Sequence, residues 1–284
     1  MEHLRLLVDG FQARTLDERT TGWPLLEFNE ALGAAFLYVV IVVVLPRLLH
    51  PAGGKQAAAK GAAGDKAGAA GDLRSIRLVY NAAMTLINLY FVLEMLYQAS
   101  VTTWFGAITP GEQGLGMAKV LYLYYLSKVL EWIDTVIMIV RGAQRQLSFL
   151  HVYHHVGTFL VWRFNVAYYP GGEAYPPALF NSFVHVVMYY YYFQSTRGYQ
   201  PWWKMYLTRL QISQLFSFVV LGAYAMINAA PEHRYIGVIN GGFALTLLVL
   251  FCQFYFASYG RRASASKHAS APSHSAGAVR RKQE

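Results

Sequence analysis

Four histidines fall within apolar stretches of this 284-residue chain: His151, His154, His155 and His185. The first three are spaced i, i+3, i+4 and so share one face of a helix. Imidazole can ligate a metal, move protons near neutral pH, or accept an acyl group as a covalent catalyst. Just upstream, Lys128, Glu131 and Asp134 recur every third residue, followed by Thr135. Ionisable groups in apolar spans are costly and by default mark function, although opposite charges on one face also serve as structural glue between helices. Asn181 stands four residues before His185, and Thr208, Gln211 and Gln214 form another one-sided polar series. The run Tyr189–Tyr192 suits an aromatic belt at a membrane interface, and Tyr189 also suits a substrate-facing position.

The elements that must carry these residues are transmembrane. Hydrophobic types make up 55% of the chain and charged types 14%, against about a quarter charged in a soluble domain. A membrane helix needs about 20 apolar residues. Seven stretches qualify: 31–49, 78–101, 117–140, 149–168, 175–193, 205–227 and 236–258. Without two-residue alternation they read as helices, which close their own backbone hydrogen bonds in lipid. The fold class expected is therefore all-α, a polytopic seven-helix membrane protein. Basic residues gather in alternate connections: Arg47 to Arg77, Arg141 with Arg145, Arg197 with Lys204, and the tail from Arg261. By the positive-inside rule these face the cytosol. The amino-terminal segment 1–30 is then lumenal and the carboxyl terminus cytosolic.

Glu2 and Asp9 interrupt the start, so no secretory leader is expected. The helical domain covers 31–260. Residues 51–73, rich in Ala, Gly and Lys, read as a flexible cytosolic loop, and the basic tail 261–284 as disordered. The final Arg280-Arg281-Lys282-Gln283-Glu284 looks like a basic endoplasmic-reticulum retrieval signal. Glu94, Lys119 and Arg163, near span ends, are expected to snorkel. The single cysteine, Cys252, excludes an internal disulfide framework and reads as packing. One polar face on each of spans three to six predicts a shared cavity, open toward the cytosol.

The residues alone leave the chemistry open. A metal-dependent lipid desaturase or hydroxylase also uses His-x-x-His-His boxes, and four histidines with carboxylates suit one zinc. Of the nine histidines, however, His3, His50, His233, His268 and His274 lie in tails or loops without box spacing, too few for a di-iron site. A retinal receptor lacks its Schiff-base lysine in the last span, and a transporter with inverted repeats lacks the repeat.

Four boxes then occur in order: Lys128-x-x-Glu131-x-x-Asp134-Thr135, His151-x-x-His154-His155, Asn181-x-x-x-His185-x-x-Met188-Tyr189-x-Tyr191-Tyr192 and Thr208-x-x-Gln211-x-x-Gln214. Together they resemble the ELO family of fatty acid elongases. The stretch from Gln146 to His155 resembles the subgroup acting on polyunsaturated chains. The resemblance implies a 3-oxoacyl-CoA synthase of the endoplasmic-reticulum membrane that condenses acyl-CoA with malonyl-CoA and binds no cofactor. Spans two to seven would enclose an acyl tunnel, with span one outside. By the same resemblance His154 accepts the acyl group, and His151, His155 and His185 orient it and move protons. Asn181, Gln211 and Gln214 are implied as hydrogen-bond donors. Glu131, Asp134 and Tyr189 belong to the substrate site, and Lys128 and Arg209 meet CoA phosphates. Implied partners are the bilayer, the reductases and dehydratase of the elongation cycle, and a possible second copy of the chain.

Overall fold

The computed structural model describes residues 16–50, 63–102, 109, 111–143, 146–229 and 233–269. The expectations for residues 1–15, 51–62 and 270–284 lie outside them. Among the described residues there are seven long helices and short 3-10 turns. The helices are α1 Phe28–Leu49, α2 Ala63–Val101, α3 Leu115–Val140, α4 Phe149–Tyr168, α5 Tyr175–Arg197, α6 Lys204–Asn228 and α7 Arg234–Ala269. The protein is an all-helical, polytopic membrane protein. Four helices are long and apolar enough to cross a bilayer by composition alone: α1, α2 from Asp72, α6, and α7 as far as Ala257. The other three, α3 to α5, carry the charged residues, the histidines and Asn181 of the first three boxes, which lowers their hydropathy.

Packing order explains how polar helices tolerate that position. Helix α2 packs on α5, α5 on α6, α6 on α7, α7 on α4, α4 on α3, and α3 on α2. Six helices thus close a ring, and α1 lies outside it against α3 and α4. Outward faces carry exposed Phe36, Leu37, Val79, Leu86, Phe216 and Phe256. An apolar surface of this kind is stable against lipid tails, not water. Inside, aromatic rings interlock: Tyr124 meets Trp162 edge-on at 4.7 Å, and Tyr125 stacks on Phe159 at 4.9 Å.

Local sequence sets the helix ends. The Ser148 hydroxyl caps α4 by accepting from the His151 amide at 3.2 Å. This N-cap fixes where α4 begins, and so the phase of the histidine face. Helix α5 ends at Gly198, whose φ of 99° suits glycine. The Arg74 guanidinium, from α2, donates to the free carbonyls of Thr196 and Arg197, the acceptors a helix end leaves unpaired.

Three expectations need correction. Helix α2 begins at Ala63, so residues 63–73 are helical and not part of a flexible loop. Alanine and lysine are strong helix formers, and a helix already nucleated extends at little cost. For the same reason α7 runs through the Ser- and Ala-rich residues 261–269, which the sequence reading put in the disordered tail. Arg163 does not snorkel: it is buried, and its Nε donates to the Leu26 carbonyl at 2.7 Å. The turn preceding α1 leaves that carbonyl without a helical partner, and the rings of Phe28 and Tyr168 flank the cation.

Candidate functional site

The centre of the ring holds a buried ion pair. Lys128 and Glu131 are each 1% exposed, with Nζ donating to Glu131 Oε1 at 2.5 Å. The ammonium also lies 4.1 Å over the Tyr124 ring and 3.4 Å from Asn181 Oδ1. From α5, His185 Nδ1 comes within 3.2 Å of the same Glu131 oxygen. It is within ion-pair distance, yet misaligned for a hydrogen bond. The Tyr124 hydroxyl donates to Asn181 Oδ1 at 2.6 Å, and Asn181 Nδ2 lies 3.4 Å from His185 Nε2. Sequence spacing therefore put Lys128, Glu131, Asn181 and His185 in one place.

Lys128 itself is not at a mouth. It is paired and buried, because a lone ammonium there has no water to solvate it. The expectation that it meets CoA phosphates is corrected accordingly. Arg209 is exposed, with its guanidinium 5.5 Å from the Tyr206 ring centroid.

Asp134 forms a second cluster one turn on. Its Oδ2 accepts from Tyr189 at 2.7 Å and from Tyr80 at 3.0 Å. The aromatic run is divided by this geometry. Tyr189 and Tyr191 are buried, while Tyr190 and Tyr192 face outward, as an interfacial belt requires.

The α4 histidines make a third group. His151 Nε2 is 2.8 Å from Thr135 Oγ1, which also bonds the Tyr38 hydroxyl at 3.0 Å. The rings of His151 and His155 meet edge-on at 4.4 Å, and those of His154 and His155 at 5.2 Å. Among the described residues the His154 ring makes no hydrogen bond. It is the histidine that faces the interior cavity.

That cavity runs between α3, α4, α5, α6 and α7; about 70 Å³ of it admits the centre of a water-sized sphere, within about 720 Å³ of atom-free space that includes the open surroundings. At one end sit His154, Asn181, Gln214 and Tyr124; the wall continues through Val161, Leu215, Phe218, Leu221 and Ala225 to Ile236 and Asn240. From Gln214 to Ala225 the helix rises about 16 Å. Gln214 is 5% exposed, and its Oε1 has no partner among the described residues. Helices α6 and α7 approach closely along this wall: a Cβ on Gly222 would fall 2.5 Å from the Gly241 Cα. Small residues at such a crossing let two backbones touch. Gln211 does not face the cavity; its Nε2 contacts Met188 Sδ at 3.6 Å.

Comparison with known proteins gives this arrangement its family. The model of the GNS1/SUR4 family, also called ELO, matches residues 23–267. The chain belongs to the ELO family. Very long chain fatty acid elongase 5 of Tachysurus fulvidraco is 31% identical over 263 residues, 88% of this chain and 83% of that one. Very long chain fatty acid elongase 2 of Mus musculus is 32% identical over 202 residues, covering 67% and 68%. Very long chain fatty acid elongase 4 of Homo sapiens is 30% identical over 256 residues, covering 86% and 76%.

ELO membership removes the ground for the desaturase or hydroxylase alternative. Among the described residues no three His, Cys, Asp or Glu side chains are grouped to hold a metal ion. Four tyrosine and threonine contributions to this ELO site escaped the sequence reading. Tyr124 lies one turn before Lys128 on the same face, so helical spacing carries its signal. Thr158 lies four residues after His154 and lines the cavity beside it. Tyr38 and Tyr80 come from α1 and α2, outside the boxes, and no local pattern marks them.

Proposed function

We propose that this ELO protein is a condensing enzyme of fatty acid elongation, a 3-oxoacyl-CoA synthase that joins malonyl-CoA to a long-chain, polyunsaturated acyl-CoA. One observation carries the reading: an uncommitted imidazole, His154, opens onto an apolar cavity whose near end also presents Asn181 and Gln214. An acyl chain prefers the apolar wall, and its thioester then sits at the polar end. The names of the relatives and the order of the four boxes support the same activity.

The steps follow from the chemistry of the groups. A ring nitrogen of His154 attacks the thioester carbonyl, the carbon–sulfur bond breaks, and CoA leaves with a proton. Amide donors from Asn181 and Gln214 stabilise the oxyanion. Malonyl-CoA then loses carbon dioxide, and the resulting enolate carbon attacks the acyl-imidazole. The carbon–nitrogen bond breaks, the departing ring nitrogen takes up a proton from the surroundings, and a 3-oxoacyl-CoA extended by two carbons leaves beside a free imidazole. His151, His155 and His185 orient the nucleophile and move protons. Basic residues at the cytosolic face, Arg209 among them, meet the CoA phosphates.

In the cell the six-helix ring and α1 together cross the endoplasmic-reticulum membrane as seven spans, with the amino terminus lumenal and the carboxyl terminus cytosolic. The reductases and dehydratase of the cycle act on its product, and a second copy of the chain is a candidate neighbour. The test is expression in a host lacking this activity, fed a panel of fatty acids, with lipid analysis for two-carbon extension. His154→Ala should abolish incorporation of radiolabelled malonyl-CoA. Full activity in that variant would overturn the acyl-imidazole step.

A further inference from the structure

Tyr124 joins the central network at Lys128 and Asn181. It is 0% exposed, its ring is wedged between Trp162 and Phe91, the Lys128 ammonium sits over one ring face, and its edge lines the cavity. Its hydroxyl makes one specific bond, to Asn181 Oδ1 at 2.6 Å.

That bond decides which way the Asn181 amide points. An amide oxygen and nitrogen are interchangeable in shape, and only their partners distinguish them. Lys128 Nζ, which can only donate, also faces Oδ1, at the longer distance of 3.4 Å. With Oδ1 held by these two donors, Nδ2 must face His185 Nε2. A donor facing Nε2 requires a lone pair there. The single proton of a neutral His185 ring then sits on Nδ1, toward the Glu131 carboxylate. The Glu131 carboxylate lies within ion-pair distance of Nδ1, though off the N–H direction, and the lone pair on Nε2 makes that nitrogen the one able to take a proton.

We propose that Tyr124 is a positioning residue for the condensing reaction: by donating to Asn181 it locks the amide orientation that keeps His185 protonated at Nδ1 and basic at Nε2. The proposal rests on the reading that the cavity is the condensing site. Other groups around His185 are compatible with it. From α3 they are Lys128 and Glu131, from α4 His154 and His155, from α5 Tyr189, and from α2 Tyr80, whose ring meets that of Tyr189. None of these turns a donor or acceptor toward Asn181 Oδ1 as closely as Tyr124 does.

The deciding variant is Tyr124→Phe, which keeps the ring, the packing and the cation contact and removes the hydroxyl alone. The Asn181 amide then keeps only the longer Lys128 contact to hold its oxygen and can turn that oxygen toward Nε2. Nε2 would then face an acceptor and no longer be held as a lone pair. Activity is measured on the full-length protein with radiolabelled malonyl-CoA and whichever acyl-CoA gives the highest wild-type rate. The expected result is a kcat lowered roughly tenfold, the loss of one well-placed hydrogen bond, with KM for acyl-CoA little changed. Thermal stability falls by no more than the loss of one buried hydrogen bond accounts for. A structural role alone would raise KM as well as lower kcat and would cost more stability than one hydrogen bond, and that result overturns the proposal. So does a wild-type kcat. His154→Ala is run in parallel. Wild-type activity there overturns the acyl-imidazole reading, whereas an inactive His154→Ala beside a wild-type kcat for Tyr124→Phe overturns only the role of Tyr124.

Discussion

Replacing Lys128 by Met should separate what the central ion pair does for stability from what it does for the site. Both charges are removed from solvent, and the ammonium and carboxylate meet at 2.5 Å. Methionine matches the length and apolar stem of lysine, so little cavity is left behind. Glu131 then keeps only the misaligned His185 Nδ1, 3.2 Å away, as a partner. Stranding one charge of a buried pair costs about 3–5 kcal/mol, which for a chain of this size lowers the melting temperature by on the order of 10 °C. Replacing both residues, Lys128→Met with Glu131→Leu, strands nothing, and pairs of this kind are often neutral or stabilising when removed together. The double variant should therefore melt near the wild type in the same detergent. Its condensing activity should stay low, because Asn181 loses one donor and His185 loses the carboxylate behind it. The assay is paired: thermal unfolding of the purified protein and incorporation of radiolabelled malonyl-CoA. A Lys128→Met protein as stable as the wild type would refute the claim that the pair is buried and charged. A double variant with full activity would refute its place in the site.

Asp134→Leu should lower stability by about 1–3 kcal/mol, since it leaves the Tyr189 hydroxyl unpaired and Tyr80 with only the Leu130 carbonyl; Tyr80→Phe alone should cost about 1 kcal/mol, and thermal unfolding compares the two. Gly222→Val should cost about 1–3 kcal/mol by overpacking α6 against α7. It should also narrow the cavity wall, seen as a shift of product toward shorter chains in the fatty acid panel. Asp17 offers a pH test. Partial burial pushes its carboxyl up, but the hydrogen bonds and charge of Arg19 outweigh this and hold it below the usual carboxylate value. A depressed acid stabilises the folded segment above its unfolded value and loses that contribution as pH falls through the folded one. Amide exchange at Arg19 and Thr20 should therefore rise only below about pH 4, and Asp17→Asn should remove the dependence.

The sequence made the seven helices and most of the site legible, because apolar length and helical spacing are local properties. His154, Asn181 and Gln214 share one cavity, and Lys128, Glu131 and His185 share one network, as their spacing implied. What spacing supplies is a face, not a partner. It placed Gln211 beside Gln214, yet Gln211 turns to Met188. It placed Asp134 on the Lys128 face but did not reveal that α2 would bring Tyr80 to it. The order of helices around the ring is set by contacts between elements far apart in the chain, and those leave no local trace. Arg163 was misread for a related reason: its acceptor, the Leu26 carbonyl, is 137 positions away.

The meeting of α4 with α7 has a consequence for biogenesis. Asn165 and Asn240 exchange two amide hydrogen bonds of 2.8 Å across it, Tyr153 reaches Thr246, and Phe243 lies against Gly157, where no side chain intrudes. This seam joins the fourth described helix to the seventh. Without α7 the other helices leave an open trough, with His154 beside the gap. Only arrival of α7 zips the trough shut, so a product truncated before Arg234 should insert and yet hold no sheltered acyl chain.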